Sequence, residues 1–240
     1  MKHLILSAAF LALGAGTALA QDTVRMGTEG AYPPFNFIGD DGEITGFERE
    51  MGDELCARAE LTCEWVLNDW DSIIPNLTSG NYDVIIAGMS ITDEREEVID
   101  FTQAYIPPAP SLFVGMDEDL YLDGAVVAAQ TNTIQAGYIA AETGATLIEF
   151  ATPDETVAAV RNGEADAVFA DGDYLIPIAE EDPDLMIILE PVQLGDGVGM
   201  GLREGDERLE AFNEAITSMK EDGTLNEMIV KWFGEEAETW

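Results

Sequence analysis

What most constrains this chain is an alternation of short β-rich runs with helical ones that is told twice. Val24-Arg25-Met26 reads as a first strand, and Phe35-Asn36-Phe37-Ile38 and Ile44-Thr45-Gly46-Phe47 flank the turn Gly39-Asp40-Asp41-Gly42. Met51, Leu55 and Ala59, with Cys56 beside them, share one helical face, and Cys63 to Leu67 alternates as a strand. Ser72 to Thr78 predicts a short helix closed by Ser79-Gly80, and Val84-Ile85-Ile86-Ala87 is the continuous apolar run of a strand buried on both faces. After Pro107-Pro108-Ala109-Pro110 the pattern restarts with strand 125–129, helix 134–143, strand 146–150, helix 153–162 and strand 167–170 running into Asp171. The helix at 153 is fully punctuated: Thr152 as N-cap, Pro153 at the first position, Glu155 completing a capping box and Gly163 beyond the end.

This order predicts an α/β protein of two lobes, each a mainly parallel sheet flanked by helices. Two extended crossings join them: 107–110 leading into Ser111-Leu112-Phe113-Val114, and Gly195-Asp196-Gly197-Val198-Gly199 leading into Met200-Gly201-Leu202. One lobe inserted into the other through two crossings is a hinge design. The expected boundaries are 21–109 with 199–240 for the first lobe and 110–198 for the inserted one. Leu209, Phe212, Ile216 and Met219 line one face of a helix over 207–221 which, with 225–233, returns to the first lobe.

Met1-Lys2-His3, the apolar run Leu4 to Leu13 and Ala18-Leu19-Ala20 have the layout of a cleavable secretory signal over residues 1–20. A buried or membrane helix is the weaker reading, because the run is shorter than the roughly 20 residues that span a bilayer. From Gln21 onward the chain carries nine basic against 48 acidic residues, a net charge of −39, and no histidine. Ser-His-Asp and Cys-His hydrolysis and zinc sites with His ligands are thereby excluded, and nucleic acid and anionic membranes are poor partners. Cys56 and Cys63, the only cysteines, read as a disulfide in an oxidising compartment, with two buried thiols as the alternative. Asp117-Glu118-Asp119 lacks EF-hand spacing and reads as a solvated face, so neither metal nor cofactor is expected.

Among the nine cations Arg95 stands apart. In Ser90-Ile91-Thr92-Asp93-Glu94-Arg95-Glu96-Glu97-Val98-Ile99, its neighbours three and four positions away are Ile91, Thr92, Val98 and Ile99, while the acids face elsewhere. An inward Arg without a helical acid partner calls for an anion, and its planar fork suits a carboxylate; a structural ion pair with another element is the alternative. Ser90 and Thr92 stand at the start of that helix, as N-caps, as anion-binding hydroxyls, or both. Asp171 ends a strand where ligands collect in α/β sheets, or else caps the next helix. Thr131-Asn132-Thr133, Glu29 with Tyr32, and Trp70 likewise follow strands, the two aromatics in polar loops where a stacking wall is as plausible as a core role.

Gly27-Thr28-Glu29-Gly30-Ala31-Tyr32-Pro33-Pro34-Phe35, Gly46-Phe47-Glu48, Asp69-Trp70-Asp71-Ser72-Ile73-Ile74-Pro75, Gly88-Met89-Ser90-Ile91-Thr92-Asp93-Glu94-Arg95 and the stretch from Asp222-Gly223-Thr224 to Lys231-Trp232-Phe233-Gly234 together resemble the periplasmic polar amino acid-binding proteins of ABC importers, family 3 of the extracellular solute-binding proteins. The likeness runs in order along the whole chain after the signal and includes the cysteine pair. It implies that two lobes close on an L-amino acid, polar or basic, which a monomeric protein hands to a membrane permease. By resemblance, Arg95 takes the α-carboxylate with Ser90 and Thr133, and Asp171 and the Gly88 carbonyl take the α-ammonium. Tyr32 and Trp70 sandwich the side chain, and Glu29 and Glu48 lie near its distal end. Met89, in Ala87-Gly88-Met89 where some relatives carry hydroxyls, and Asn132, where a small hydroxyl residue is frequent, depart from the pattern and are expected to reshape the pocket. Two rival readings share the fold: a cyclohexadienyl dehydratase-like enzyme using Glu29 or Asp171 as acid, and a ligand sensor for a membrane receptor.

Overall fold

The computed structural model describes residues 23–240, so the expected signal segment lies outside the described residues. The chain begins with β1 (Val24–Thr28), a small meander of β2 (Ala31–Tyr32), β3 (Asn36–Ile38) and β4 (Ile44–Thr45), then α1 (Phe47–Arg58), β5 (Cys63–Leu67), α2 (Ile73–Thr78), β6 (Val84–Ile85), the single turn α3 (Asp93–Glu96) and β7 (Asp100–Phe101). The second series is β8 (Pro110–Gly115), β9 (Val126–Gln130), α4 (Ile134–Glu142), β10 (Thr146–Phe150), α5 (Pro153–Arg161), β11 (Ala167–Asp171), α6 (Gly172–Glu181) and β12 (Met186–Gln193). β13 (Gly201–Leu202), α7 (Arg208–Glu221) and α8 (Thr224–Phe233) complete it, the two helices packing on α1.

Two five-stranded sheets result, ordered β5-β1-β6-β13-β7 and β10-β9-β11-β8-β12. The apolar runs lie at their centres: Val84, Ile85, Ile86, Ala167, Val168 and Phe169 are all 0 % exposed. Each Val or Ile so buried contributes roughly 1.5–3 kcal/mol. Only one half of each sheet is parallel, β5-β1-β6 and β10-β9-β11. β13 and β8 are antiparallel to their neighbours. The cause is the crossings. A strand entering from the other lobe starts at the cleft and runs away from it, opposite to strands whose carboxyl ends face the cleft.

The first crossing begins in the structure at Tyr105, ahead of the Pro-rich segment, and pairs there with the second. Tyr105 N–H donates to the Val198 carbonyl (2.8 Å) and Val198 N–H to the Ile106 carbonyl (3.1 Å). Gly197 beside them has φ +96°, and a Cβ there would come within 2.6 Å of the Ile106 oxygen, so only glycine fits this approach. Cys56 and Cys63 form a disulfide between the end of α1 and the start of β5, with Cα atoms 6.2 Å apart. Thr152 and Glu155 form the expected capping box.

Candidate functional site

Because the parallel strands of both sheets end at the cleft, the residues following them meet there. Glu29 and Tyr32 follow β1, Trp70 follows β5, Ala87, Gly88 and Ser90 follow β6, Thr133 follows β9, and Gln130 and Asp171 end β9 and β11. All of these line one cavity of about 480 Å³, counting its mouth.

Arg95 is 9 % exposed. Thr92 caps α3, its Oγ1 accepting from the Arg95 N–H at 3.3 Å. The guanidinium donates through Nη1 to the Ser90 carbonyl (2.7 Å) and through Nη2 to the Asn132 carbonyl (3.5 Å), and its carbon lies 5.4 Å from the Trp70 ring centroid. Two carbonyls occupy only part of a five-donor fork. Among the described residues, Arg25, Arg49, Arg58, Arg161, Arg203, Arg208 and Lys231 each reach a carboxylate within 4 Å, whereas Arg95 and Lys220 do not. Lys220 instead donates to the Ala104 carbonyl and Gln103, away from the cleft. Arg95 is therefore not held in a structural ion pair. Burial lowers its pKa to about 10, against the opposing pull of Asp171 and Glu94. One spacing expectation fails: Val98 is 49 % exposed, because α3 stops at Glu96 and the three-residue offset no longer shares a face.

Asp171 occupies the N-cap position of α6 without a side-chain capping bond. Its Oδ2 instead accepts from Tyr32 O–H (2.7 Å) and its Oδ1 from Gln135 Nε2 (2.7 Å). Desolvation pushes its carboxyl up, while Tyr32, Arg95 and Gln135 pull it down. The Tyr32 ring stacks on Tyr174 at 4.7 Å and 24°. Glu29 Oε1 accepts from Gln130 Nε2 at 2.6 Å, and burial raises its carboxyl to about 7 despite that bond, with Asp69 and Asp154 adding to the rise. Thr133 caps α4 and donates to the Gln130 carbonyl (2.7 Å). Trp70 Nε1 is buried with no hydrogen-bond partner among the described residues. The cleft is spanned by hydrogen bonds from Tyr32 to Asp171, Gln130 to Glu29, Arg95 to Asn132, and Asn132 Nδ2 to the Asp71 carbonyl at 3.4 Å.

Three residues expected at the ligand do not line this cavity. Met89 and Asn132 line an adjoining cavity behind Trp70 and Arg95. Asn132 takes φ +56° and turns its carbonyl to Arg95. Glu48 is 0 % exposed, because its carboxylate is engaged by Gly88 N–H, Asn36 and Tyr105 within the first lobe. Conversely, sequence reasoning passes over Gln130, Gln135, Pro153, Thr156 and Phe169, all on the cavity wall. The strand-end rule that singles out Thr131-Asn132-Thr133 would also find Gln130, which ends the same strand. Gln135, in the first turn of α4, carries no such signal.

The model of the bacterial extracellular solute-binding proteins, family 3, matches residues 24–235. The chain belongs to that family. It is 31 % identical to the lysine/arginine/ornithine-binding periplasmic protein of Escherichia coli (strain K12) over 97 % of each chain. It is 30 % identical to the octopine-binding periplasmic protein of Rhizobium meliloti, again over 97 % of each. Among solved structures, a periplasmic His/Glu/Gln/Arg/opine family-binding protein from Silicibacter pomeroyi in complex with lysine is 71 % identical, with a TM-score of 0.88, over 90 % of this chain and 100 % of that one. These family 3 relatives are binding proteins rather than enzymes, and the two-lobed fold is theirs.

Proposed function

We propose that this protein captures a basic L-amino acid, lysine foremost, in the cleft between its lobes and delivers it to the permease of an ABC importer. The observation that carries the reading is the charge inventory of the cavity wall: one cation, Arg95, and two carboxylates, Glu29 and Asp171. Lysine is the complement, with one carboxylate and two cations. In a low-dielectric cleft an unmatched charge is costly, so complementarity selects against neutral and acidic side chains. The lysine complex of the 71 % identical relative supports the same reading.

In this arrangement the unused donors of Arg95, with Ser90 and Thr133, hold the α-carboxylate, while Asp171 and the Gly88 carbonyl hold the α-ammonium. Tyr32 and Trp70 flank the aliphatic chain, and Glu29, steadied by Gln130, receives the distal ammonium. Residues 21–109 with 199–240 act as one body and 110–198 as the other, closing about the paired crossings. Residues 1–20 are removed on export, and the mature protein works in the periplasm as a monomer. A dicarboxylate substrate, as a dehydratase reading requires, would set its second anion against Glu29.

Isothermal titration calorimetry of the purified protein against the common amino acids plus ornithine and octopine tests this. Lysine or arginine should bind tightest, and Arg95→Ala should weaken that binding by at least about a hundredfold, as expected for stripping one partner from a buried charge pair. A neutral or acidic amino acid binding more tightly than both would overturn the assignment.

A further inference from the structure

The carboxylate of Glu48 sits one layer beneath the cavity, and its polar environment is fully determined. Oε1 accepts from the backbone N–H of Gly88 at 2.6 Å and from the hydroxyl of Tyr105. Oε2 accepts from Asn36 Nδ2 at 2.7 Å. The orientation of Asn36 is not free, because its Oδ1 accepts from the backbone N–H of Gly30 at 2.6 Å. Both ends of this relay are main-chain donors that cannot be reversed, so each Glu48 oxygen faces an N–H donor, the arrangement that suits an anion. Glu48 and Asn36 are both 0 % exposed, and among the described residues no cation lies within 4 Å of Glu48. Burial holds its carboxyl above the ordinary value even though these three donors pull it down. A buried carboxyl met only by neutral hydrogen-bond partners is expensive to keep and needs an explanation.

The partners supply one. Gly88, with φ +61°, and Ala87 are on the cavity wall. In a trans peptide the C=O and N–H point in opposite directions, so fixing the Gly88 N–H toward Glu48 fixes the Ala87 carbonyl away from it and sets where the Gly88 unit begins. Through Asn36 the same carboxylate holds Gly30, the residue after Glu29. Through Tyr105 it reaches the crossing strand, whose N–H bonds to Val198 of the other crossing. We infer that Glu48 is a positioning residue for ligand capture: a buried carboxyl whose hydrogen bonds fix the Gly88 and Gly30 segments of the cavity wall and tie them to the crossing at Tyr105. This rests on the reading of the cavity as an amino acid site, and it concerns a residue that does not line that cavity.

Hydrogen-bond parity gives a test that a general packing role would fail. Glu48→Gln turns one oxygen into a donor, which must face Asn36 Nδ2, Gly88 N–H or Tyr105 O–H. Asn36→Asp alone sets two carboxylates against each other. Combined, the two changes restore every pairing: the amide introduced by Glu48→Gln donates to one oxygen of the carboxylate introduced by Asn36→Asp, and Gly30 N–H donates to the other. L-Lysine binding is measured by calorimetry for parent, single and double variants at a temperature where circular dichroism shows each folded. Each single change should weaken binding about tenfold or more, the scale of one mispaired buried hydrogen bond to a charge, and the double change should return it to within about threefold of the parent. Tyr105→Phe, which keeps the charge and loses one donor, should weaken binding about threefold to tenfold and carries the test if Glu48→Gln does not fold. If Glu48→Gln binds lysine like the parent, if the double variant is no better than the singles, or if Tyr105→Phe leaves affinity unchanged, the inference is wrong. If the parent itself binds no amino acid, the failure lies in the proposed function instead.

Discussion

Replacing Glu29 by Gln should stabilise the unliganded protein while spoiling its site, and the size of both effects follows from one displaced carboxyl. Burial raises Glu29 from an ordinary 4.5 to about 7. That distance is worth about 3 kcal/mol at ~1.4 kcal/mol per pH unit. The unfolded chain ionises near 4.5 and the folded one near 7, so the folded state holds the extra proton between these values. The contribution to stability is complete below about pH 4.5 and is lost as pH rises through about 7. Glu29→Gln cannot lose a proton. Relative to the parent it should gain nothing near pH 4.5 and about 2–3 kcal/mol by pH 8, allowing for solvent near the cavity mouth. For a chain of this size that corresponds to a Tm advantage of roughly 4–12 °C at pH 8. Lysine binding should move the other way. In the proposed binding mode Glu29 meets the distal ammonium as the ionised carboxylate, so parent affinity should fall as pH drops below about 7, by up to about tenfold per pH unit, and the variant should bind more weakly with a flatter profile. Differential scanning fluorimetry without lysine and calorimetry with it, both from about pH 5 to 8.5, read the two halves. An equal Tm difference at pH 5 and pH 8, or a parent affinity for lysine indifferent to pH over that range, would refute the reasoning.

Other outcomes follow from single contacts. Arg95→Lys keeps the charge but loses the fork that reaches both the Ser90 carbonyl and a ligand carboxylate, so lysine affinity measured by calorimetry should drop at least about tenfold with little change in Tm. Asp83 accepts from Arg25 and Arg203, which hold its carboxyl well below the ordinary range. Asp83→Asn should therefore lower stability in urea titrations by about 2–3 kcal/mol at pH 7 with ligand affinity unchanged. The loss should shrink as pH falls below the ordinary carboxylate range, where the parent gives up the same contribution. Breaking the Cys56–Cys63 bond by Cys56→Ser with Cys63→Ser opens a loop with a sequence separation of 7, so Tm should fall with a loss of about 2–3 kcal/mol while lysine binding persists.

Much of this architecture is legible in the residues alone. Apolar runs such as Val84–Ala87 mark central strands because they are rich in β-branched residues, too short for a buried helix and bounded by turn residues. Arg95 is conspicuous because the spacing denies it an acid on its own helical face. Asp171 follows from its position at a strand end. What the sequence hides depends on contacts between distant segments. Nothing local says that Gln130 meets Glu29 across 101 positions or that Gln135 meets Asp171. Resemblance places Glu48 near the ligand but cannot say in which layer it sits, and the structure buries it beneath the cavity wall. The antiparallel half of each sheet follows from where the crossings enter, a property of the closed topology rather than of any strand.

The paired crossings have a mechanical consequence. Two independent tethers would let the lobes twist, shear and bend separately. Hydrogen-bonded at Tyr105, Ile106 and Val198, they form a narrow ribbon, stiff within its own plane and soft only to flexing across it. An opening of the proposed lobes about such a ribbon should then follow a single coordinate, like a door on a pin. On that motion the bonds that span the cleft, from Tyr32 to Asp171 and from Gln130 to Glu29, should form or break as a set.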